Sequence, residues 1–351
     1  EISECLVGSE MCIRDSSNIE KSLQTYLSPD YQWNTYKWTL SLSAPLRWTG
    51  YTGVGFSRIS VNPSLSIIYK LNYAWRFTVH ASYKERYGEM TDLYDRPYQT
   101  DYRNSVWNCG ILPVYRQQLY SVYGEYKSTA REFFATVNLT HNREWYNRIY
   151  EQRIENGQVQ RVSLPLSNHG SGYTVKSTLS KGFYDLGLKT SLMALLNISK
   201  AEQISGGQRL PYQYRLMRLE PKVIWTPNRH WETSYQTDIR YGGSKIGERT
   251  RLAPLWNVIQ QVQLSYIFSP IEASLSVDHY HNDVNEDQSV NAVFADFSVS
   301  WKSGRWQITA TATNLFDKRT YAYTRYASLE SYTSWVRIRP REFLVAIRYR
   351  L

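Results

Sequence analysis

Two imidazoles and a carboxylate at alternate positions, His279, His281 and Asp283, come nearest to a chemical constellation. Alternate residues of a strand share a face, so this trio could ligate a metal, with Glu286 and Asp287 close behind. The same residues also read as the polar end of a strand entering a loop, and no closed ligand set accompanies them. Gly53-Val54-Gly55 and Gly206-Gly207 stand in no strand-to-helix turn and read as loop glycines rather than a phosphate cradle. Asn138 and Asn197 begin glycosylation sequons, but both fall inside strand patterns. The histidines at 80, 141, 169, 230, 279 and 281 have no nucleophile motif beside them, so neither catalytic residues nor a cofactor are expected. Tyrosine-rich stretches at 94–102, 146–150 and 321–332 could stack on sugar rings or a ligand's aromatic groups. They equally suit packing at a membrane interface, and no particular ligand-binding residue is assigned.

The elements that must position these residues are strands. Phe343, Val345, Ile347, Tyr349 and Leu351 are apolar at every second position, with Leu344, Ala346, Arg348 and Arg350 between them. A period of two marks a strand with one apolar face and one that tolerates charge. The same alternation runs through Val293–Trp301, and after Lys302-Ser303-Gly304-Arg305 through Trp306–Ala312. It is clearest at Trp231, Thr233, Tyr235, Thr237, Ile239 and Tyr241, which alternate with Glu232, Ser234, Gln236, Asp238 and Arg240. From about residue 35 the pattern repeats as strand, short turn, strand, long polar loop, for about fourteen strands. Long loops are expected near 85–113, 147–171, 200–212, 243–255, 281–290 and 316–340. Pro221 makes the strand near 213–226 the least regular, since proline lacks a ladder donor.

Composition supports a membrane barrel. The chain of 351 residues carries 12 Trp, 30 Tyr and 10 Phe, and such amphipathic rings concentrate where oil meets water. Mean hydropathy is −0.52 and no run of 18 apolar residues occurs, which excludes a spanning helix but not a spanning barrel. The polar strand face carries too many charges for a packed sandwich core. The formal net charge of +10 raises nucleic acid as a partner. However, the Lys and Arg residues are spread along strands and loops, so no nucleic-acid partner is expected. The fold expected is all-β: a transmembrane antiparallel up-and-down β-barrel.

The run Asn314-Leu315-Phe316-Asp317-Lys318, with a Tyr-rich loop, Arg339-Pro340-Arg341 and the closing strand, resembles the C-terminus of TonB-dependent receptors. Those are 22-stranded barrels of the Gram-negative outer membrane. The resemblance implies that Phe343, Val345, Ile347, Tyr349 and Leu351 form the signal read by the barrel-assembly machinery, with Leu351 where that family usually ends in Phe. It further implies energy-coupled uptake of a siderophore, cobalamin or glycan. The partners it implies are outer-membrane lipid, TonB through an N-terminal region, and in some members a surface lipoprotein. A passive porin and a barrel enzyme, a lipase or protease, are the alternatives.

Residues 1–16, Glu-Ile-Ser-Glu-Cys-Leu-Val-Gly-Ser-Glu-Met-Cys-Ile-Arg-Asp-Ser, show no strand alternation and resemble translated sequencing-adapter read-through. Residues 17–351 are then expected to be the C-terminal part of a barrel whose plug and first strands lie upstream. Its first and last strands should be open edges. Without Cys5 and Cys12, Cys109 stands alone and no disulfide framework is expected.

Overall fold

A computed structural model describes residues 22–350 except 52–54, 109, 156–157, 248–249, 252–253, 286 and 328–329. Residues 1–16, Cys109, Gly53, Val54, Glu286 and Leu351 therefore lie outside the described residues. The described chain is almost entirely antiparallel strand, with two single-turn 3₁₀ segments, Met90–Leu93 and Tyr184–Leu186.

The first three strands are each interrupted by a proline. Leu27 pairs with Leu46 and Asp30 with Ser43, so the register of 22–27 on 46–51 continues into that of 30–34 on 38–43. Leu46 pairs with Val61 and Ser43 with Ser64, which carries the next ladder across its own break. Pro29, Pro45 and Pro63 keep their acceptors: Ala44, Asn62 and Tyr83 donate their N–H groups to the three carbonyls at 3.1, 2.9 and 2.9 Å. What is missing is the proline N–H, which no ring nitrogen can supply. Residues 22–34, 38–51 and 56–70 are thus three strands, named β1, β2 and β3. The chain then runs through β4 (Trp75–Tyr87), β5 (Val114–Ser128), β6 (Phe133–Tyr146), β7 (Asn168–Phe183) and β8 (Leu188–Ser205). It continues through β9 (Gln208–Asn228), β10 (Trp231–Ile246), β11 (Leu255–Phe268), β12 (Ile271–Asp283), β13 (Ser289–Ser303), β14 (Trp306–Thr313) and β15 (Glu342–Tyr349). Each pairs antiparallel with its chain neighbour, giving an up-and-down sheet of fifteen strands where the sequence pattern indicated about fourteen.

The extra strand is β1, whose residues are all exposed and whose side chains do not alternate cleanly. The expected loop at 200–212 is also a strand pair: Ser205 pairs with Gln208 and the turn is Gly206-Gly207. Both glycines have positive φ, 57° and 75°, as a two-residue hairpin turn requires. Polar Lys200, Glu202 and Gln203 made this stretch look like loop, but backbone pairing continues in water once the apolar band has been passed. Pro221 lies within the longest strand. It pairs with Leu192 on one side, while the ladder to β10 skips Glu220 and Pro221.

The register assembles one continuous apolar face. Val79, Val122, Leu139, Val175, Leu196 and Met217 are successive cross-strand partners from β4 to β9. Tyr235, Val262, Val277 and Ala295 do the same from β10 to β13. Ala310 then meets Val345, and Ile308 meets Ile347. Aromatics end the face at both levels. At the short-turn end Trp75 lies 4.8 Å from Tyr126, Trp231 4.6 Å from Tyr266 and Trp306 4.8 Å from Tyr349. At the other end His141 stacks on Tyr173 at 4.3 Å and Tyr241 lies 4.7 Å from Trp256.

The spacing of these levels is itself informative. Ten residues separate Tyr173 from Phe183, Trp231 from Tyr241, and Trp256 from Tyr266. Ten residues of strand span about 33 Å. Tilted by the roughly 40° usual in such barrels, they cover about 25 Å of height, the apolar thickness of an outer-membrane wall.

Most of this row is exposed, Val79, Val122, Leu139, Val175, Leu196 and Met217 among them, while Ala295 is buried. Among the described residues the buried apolar side chains, such as Leu93, Ile149, Val162 and Ile204, lie where loops stack on strand ends. Among the described residues β1 pairs only with β2, and β15 only with β14, so the sheet has two free edges.

Candidate functional site

The opposite face is polar, and its charges are paired across strands. Arg76 on β4 meets Glu125 on β5, and Tyr123 donates its hydroxyl to Glu125 Oε2 at 3.1 Å. Arg218 on β9 is held by Glu220 and, at 2.9 Å, by Asp238 on β10, which also takes Arg240 at 2.5 Å. Ser274 and Ser298 share a hydrogen bond of 2.9 Å, and Ser300 and Thr309 one of 3.1 Å. Charges can line this face only if water or a polar filling lies against it.

Above the wall, loops form a small second structure. The hairpin Ile149–Glu155 with Gln158–Leu164 lies parallel to Asn104–Trp107 on one side, and Glu151 pairs with Ile204 at the end of β8 on the other. Ile149, Val162 and Ile204 are buried within it, and Arg148 ties it to Asp92 at 2.9 Å. Arg161 lies over the Tyr150 ring at 3.6 Å.

Below this cap, on the polar face, Glu144 is the centre of a cluster. It accepts hydrogen bonds from Tyr146 (2.9 Å), Tyr115 (3.2 Å), Gln117 (3.1 Å) and Asn142 (3.0 Å). Arg86 covers the Tyr115 ring at 4.6 Å. Burial, then the Glu144 carboxylate, pushes the Tyr146 phenol above its ordinary range, so it stays a donor. At the end of β4 burial, followed by the hydrogen bond to Glu85, pushes Tyr87 up to about 12. Glu85 is 7% exposed and faces Arg58 at 3.3 Å and Arg116 at 3.4 Å.

The motif at 314–318 is a clamp. Asn314 sits at φ 51°, a left-handed conformation that asparagine tolerates, and is 7% exposed. Its amide donates to the carbonyls of Lys318 at 2.8 Å and Arg339 at 2.9 Å, while Oδ1 accepts from Lys318 N at 2.9 Å. Asp317 accepts from Arg341 N at 3.0 Å and pairs with Arg319, also at 3.0 Å. The two ends of the loop between β14 and β15 are therefore joined by one side chain. Within that loop Thr320–Ala327 pairs with Glu330–Arg337, and Tyr321 receives a hydrogen bond of 2.8 Å from Asn282. The side chains of 323–332 lie outside the described residues, so that tyrosine-rich stretch is placed only at Tyr321.

His279, His281 and Asp283 lie on the apolar-face side of β12, at its outer end. His281 contacts Asp283 at 3.3 Å through Nε2 and Asn291 at 2.9 Å through Nδ1, and Asp283 accepts from Trp256 N at 2.8 Å. Both His281 nitrogens are thus engaged in a strand-end network. No three His, Cys, Asp or Glu side chains gather as a metal cluster among the described residues. Phe343, Val345, Ile347 and Tyr349 occupy the apolar row opposite Ala312, Ala310, Ile308 and Trp306. Of the tyrosine loops, Tyr146 and Tyr150 are in the rim, Tyr94 lies 6.2 Å from Tyr98, and Tyr102 is 79% exposed. The Glu144 and Glu85 clusters were not legible in the sequence, since their cross-strand partners lie 27 to 31 residues away along the chain and share no local signal.

A single antiparallel sheet, apolar on one face between two aromatic levels and charged on the other, is the wall of a β-barrel of outer-membrane type. No protein-family model matches the chain, and no curated protein matches it in sequence. Among solved structures it is similar to the ferripyoverdine receptor of the outer membrane of Pseudomonas aeruginosa, at 9% identity and TM-score 0.46. That match covers 93% of this chain and 70% of the receptor. It is also similar to the ferric-catecholate import receptor Fiu from E. coli K12, at 8% identity and TM-score 0.41, over 94% of this chain and 80% of Fiu. A third is the siderophore receptor PirA from Acinetobacter baumannii, at 8% identity and TM-score 0.37, over 86% of this chain and 62% of PirA.

Proposed function

We propose that residues 17–351 form the C-terminal barrel wall of a TonB-dependent outer-membrane receptor that imports a large nutrient, a siderophore, cobalamin or glycan. The observation that carries the reading is the pairing of two features. The sheet has a charged face that needs a polar filling, and its two edges have unpaired backbone groups. An unpaired edge in hydrocarbon costs several kcal/mol per group, so in a bilayer β1 and β15 require partner strands. A 22-stranded barrel built around a plug supplies both the partners and the filling. The Asn314–Lys318 motif supports the same family, because here it has a definite task in closing the last outer loop.

On this reading outer-membrane lipid surrounds the apolar row, and the barrel-assembly machinery reads Phe343, Val345, Ile347, Tyr349 and Leu351. TonB grips a region upstream of residue 17, and the rim around Glu144, Tyr115 and Tyr146 meets the cargo, with a surface lipoprotein as a further candidate partner. The wall itself performs no bond chemistry. The test is the reading frame that precedes codon 17 in the source genome. A plug domain in frame is the expected result, and a signal peptide placed directly before residue 17 overturns the proposal.

A further inference from the structure

Just beyond the outer aromatics the outward wall carries a row of charge. Arg143, Ser171, Lys200, Gln213 and Lys245 are successive cross-strand partners on β6 to β10, so their side chains form one row on the lipid-facing side. Arg215 stands one alternate position nearer the apolar band, between Ile198 and Gly243. The row lies one alternate position above His141 and Tyr173, and on β10 two above Tyr241. That is about 7 to 14 Å along the strand past the aromatic level.

A groove of about 480 Å³ follows the row, lined among others by Arg143, Trp145, His169, Lys200, Gln213 and Lys245. Its acids are already engaged: Glu202 is paired with Arg209 at 2.5 Å, and Glu144 is held by the cluster on the opposite face. Arg143, Lys200, Arg215 and Lys245 take part in no ion pair among the described residues, whereas Arg76, Arg218 and Arg240 of the polar face are each paired with a carboxylate. Two alternate positions below lie Leu139, Val175, Leu196 and Met217 of the apolar row.

We propose that this groove binds the phosphorylated headgroup of a glycolipid of the outer leaflet, whose acyl chains lie on the apolar row beneath. Cations without a carboxylate partner at headgroup height, Arg143 hydrogen-bonded to His141 at 3.3 Å, with hydrocarbon-facing residues below them, match a ligand that is anionic at one end and apolar at the other. Arg143 and Lys200 are two strands apart, as are Lys200 and Lys245, so neighbouring cations stand about 10 Å from each other. That spacing suits a headgroup with two phosphates better than one with a single phosphate. Ser171 and Gln213 supply neutral donors between the cations. The site rests on the membrane placement proposed above.

The test uses residues 17–351 expressed together with the reading frame that precedes them, inserted in phosphatidylcholine vesicles containing a diphosphorylated glycolipid. Co-purified lipid is read by native mass spectrometry, and insertion is read separately by protease protection. Wild-type protein should retain the glycolipid, and K200Q/K245Q should insert equally but retain it about 30-fold less, at about fivefold for each cation lost. K200R/K245R should bind as wild type. Failure of the wild type to insert would overturn the membrane reading and this site together. Insertion with equal retention by wild type and K200Q/K245Q would overturn the site alone. Equal retention of phosphatidylglycerol would overturn the two-phosphate assignment, and full competition by inorganic phosphate would overturn the lipid assignment.

Discussion

Exchanging Val262 for arginine puts a charge on the apolar side of β11, while exchanging the preceding residue, Gln261, puts the same charge on the polar side. Val262 lies six residues from Trp256 and four from Tyr266, the outer and inner aromatic levels of its strand. At about 3.3 Å per residue and a tilt near 40°, those spans are about 15 Å and 10 Å of depth, close to the middle of the apolar band. Its cross-strand neighbours, Tyr235 and Val277, offer no carboxylate. An arginine at this depth costs about 2–4 kcal/mol, which lowers the folding equilibrium by about 30- to 1000-fold. Gln261→Arg has Asp278 as its direct partner on β12 and should stay within about 0.5 kcal/mol of wild type. Both are measured by urea unfolding from phosphatidylcholine vesicles, following tryptophan fluorescence. If Gln261→Arg proves as damaging as Val262→Arg, the two faces have been assigned the wrong way round and the membrane reading falls with them.

Two further outcomes concern the last outer loop. Asn314→Ala removes three hydrogen bonds and places a Cβ-only residue at φ 51°, so segment 315–341 should open to protease with about 3 kcal/mol less protection. Asn314→Gly, which keeps the backbone conformation, should recover only the strain component. The carboxyl of Asp317 is held below the usual range by the Arg319 side chain and the Arg341 N–H. A depressed carboxylate contributes stability that is present above its unfolded value and lost as pH falls through the folded one. Protection of the loop should therefore weaken below about pH 4. In Asp317→Asn the same pH titration should be flat.

The alternation of Trp231 to Tyr241 and Phe343 to Tyr349 announced strands with an oily and a wet side, because a period of two is written locally in the chain. The same signal failed where polarity and pairing part company. At 200–208 the residues are polar yet paired, because beyond the apolar band a strand needs no apolar face to keep its backbone ladder. At 22–34 the alternation is weak, and the strand is specified by its partner across Pro29 and Pro45 rather than by its own residues. Pro221 makes the pattern of its strand the least regular. The structure shows a gap in one ladder only, because the missing N–H matters only toward β10.

By itself the sequence determined the two-faced strands, the wealth of interfacial aromatics and the motif at Asn314, since each is written in composition or in residues close together in the chain. Tertiary structure alone decided which side chains meet. Glu144 gathers Tyr115 and Gln117 from the next strand, Arg58 and Arg116 close on Glu85, and Arg143, Lys200 and Lys245 fall into one row. Those meetings depend on register, and register is set by backbone pairing between strands that local composition does not connect.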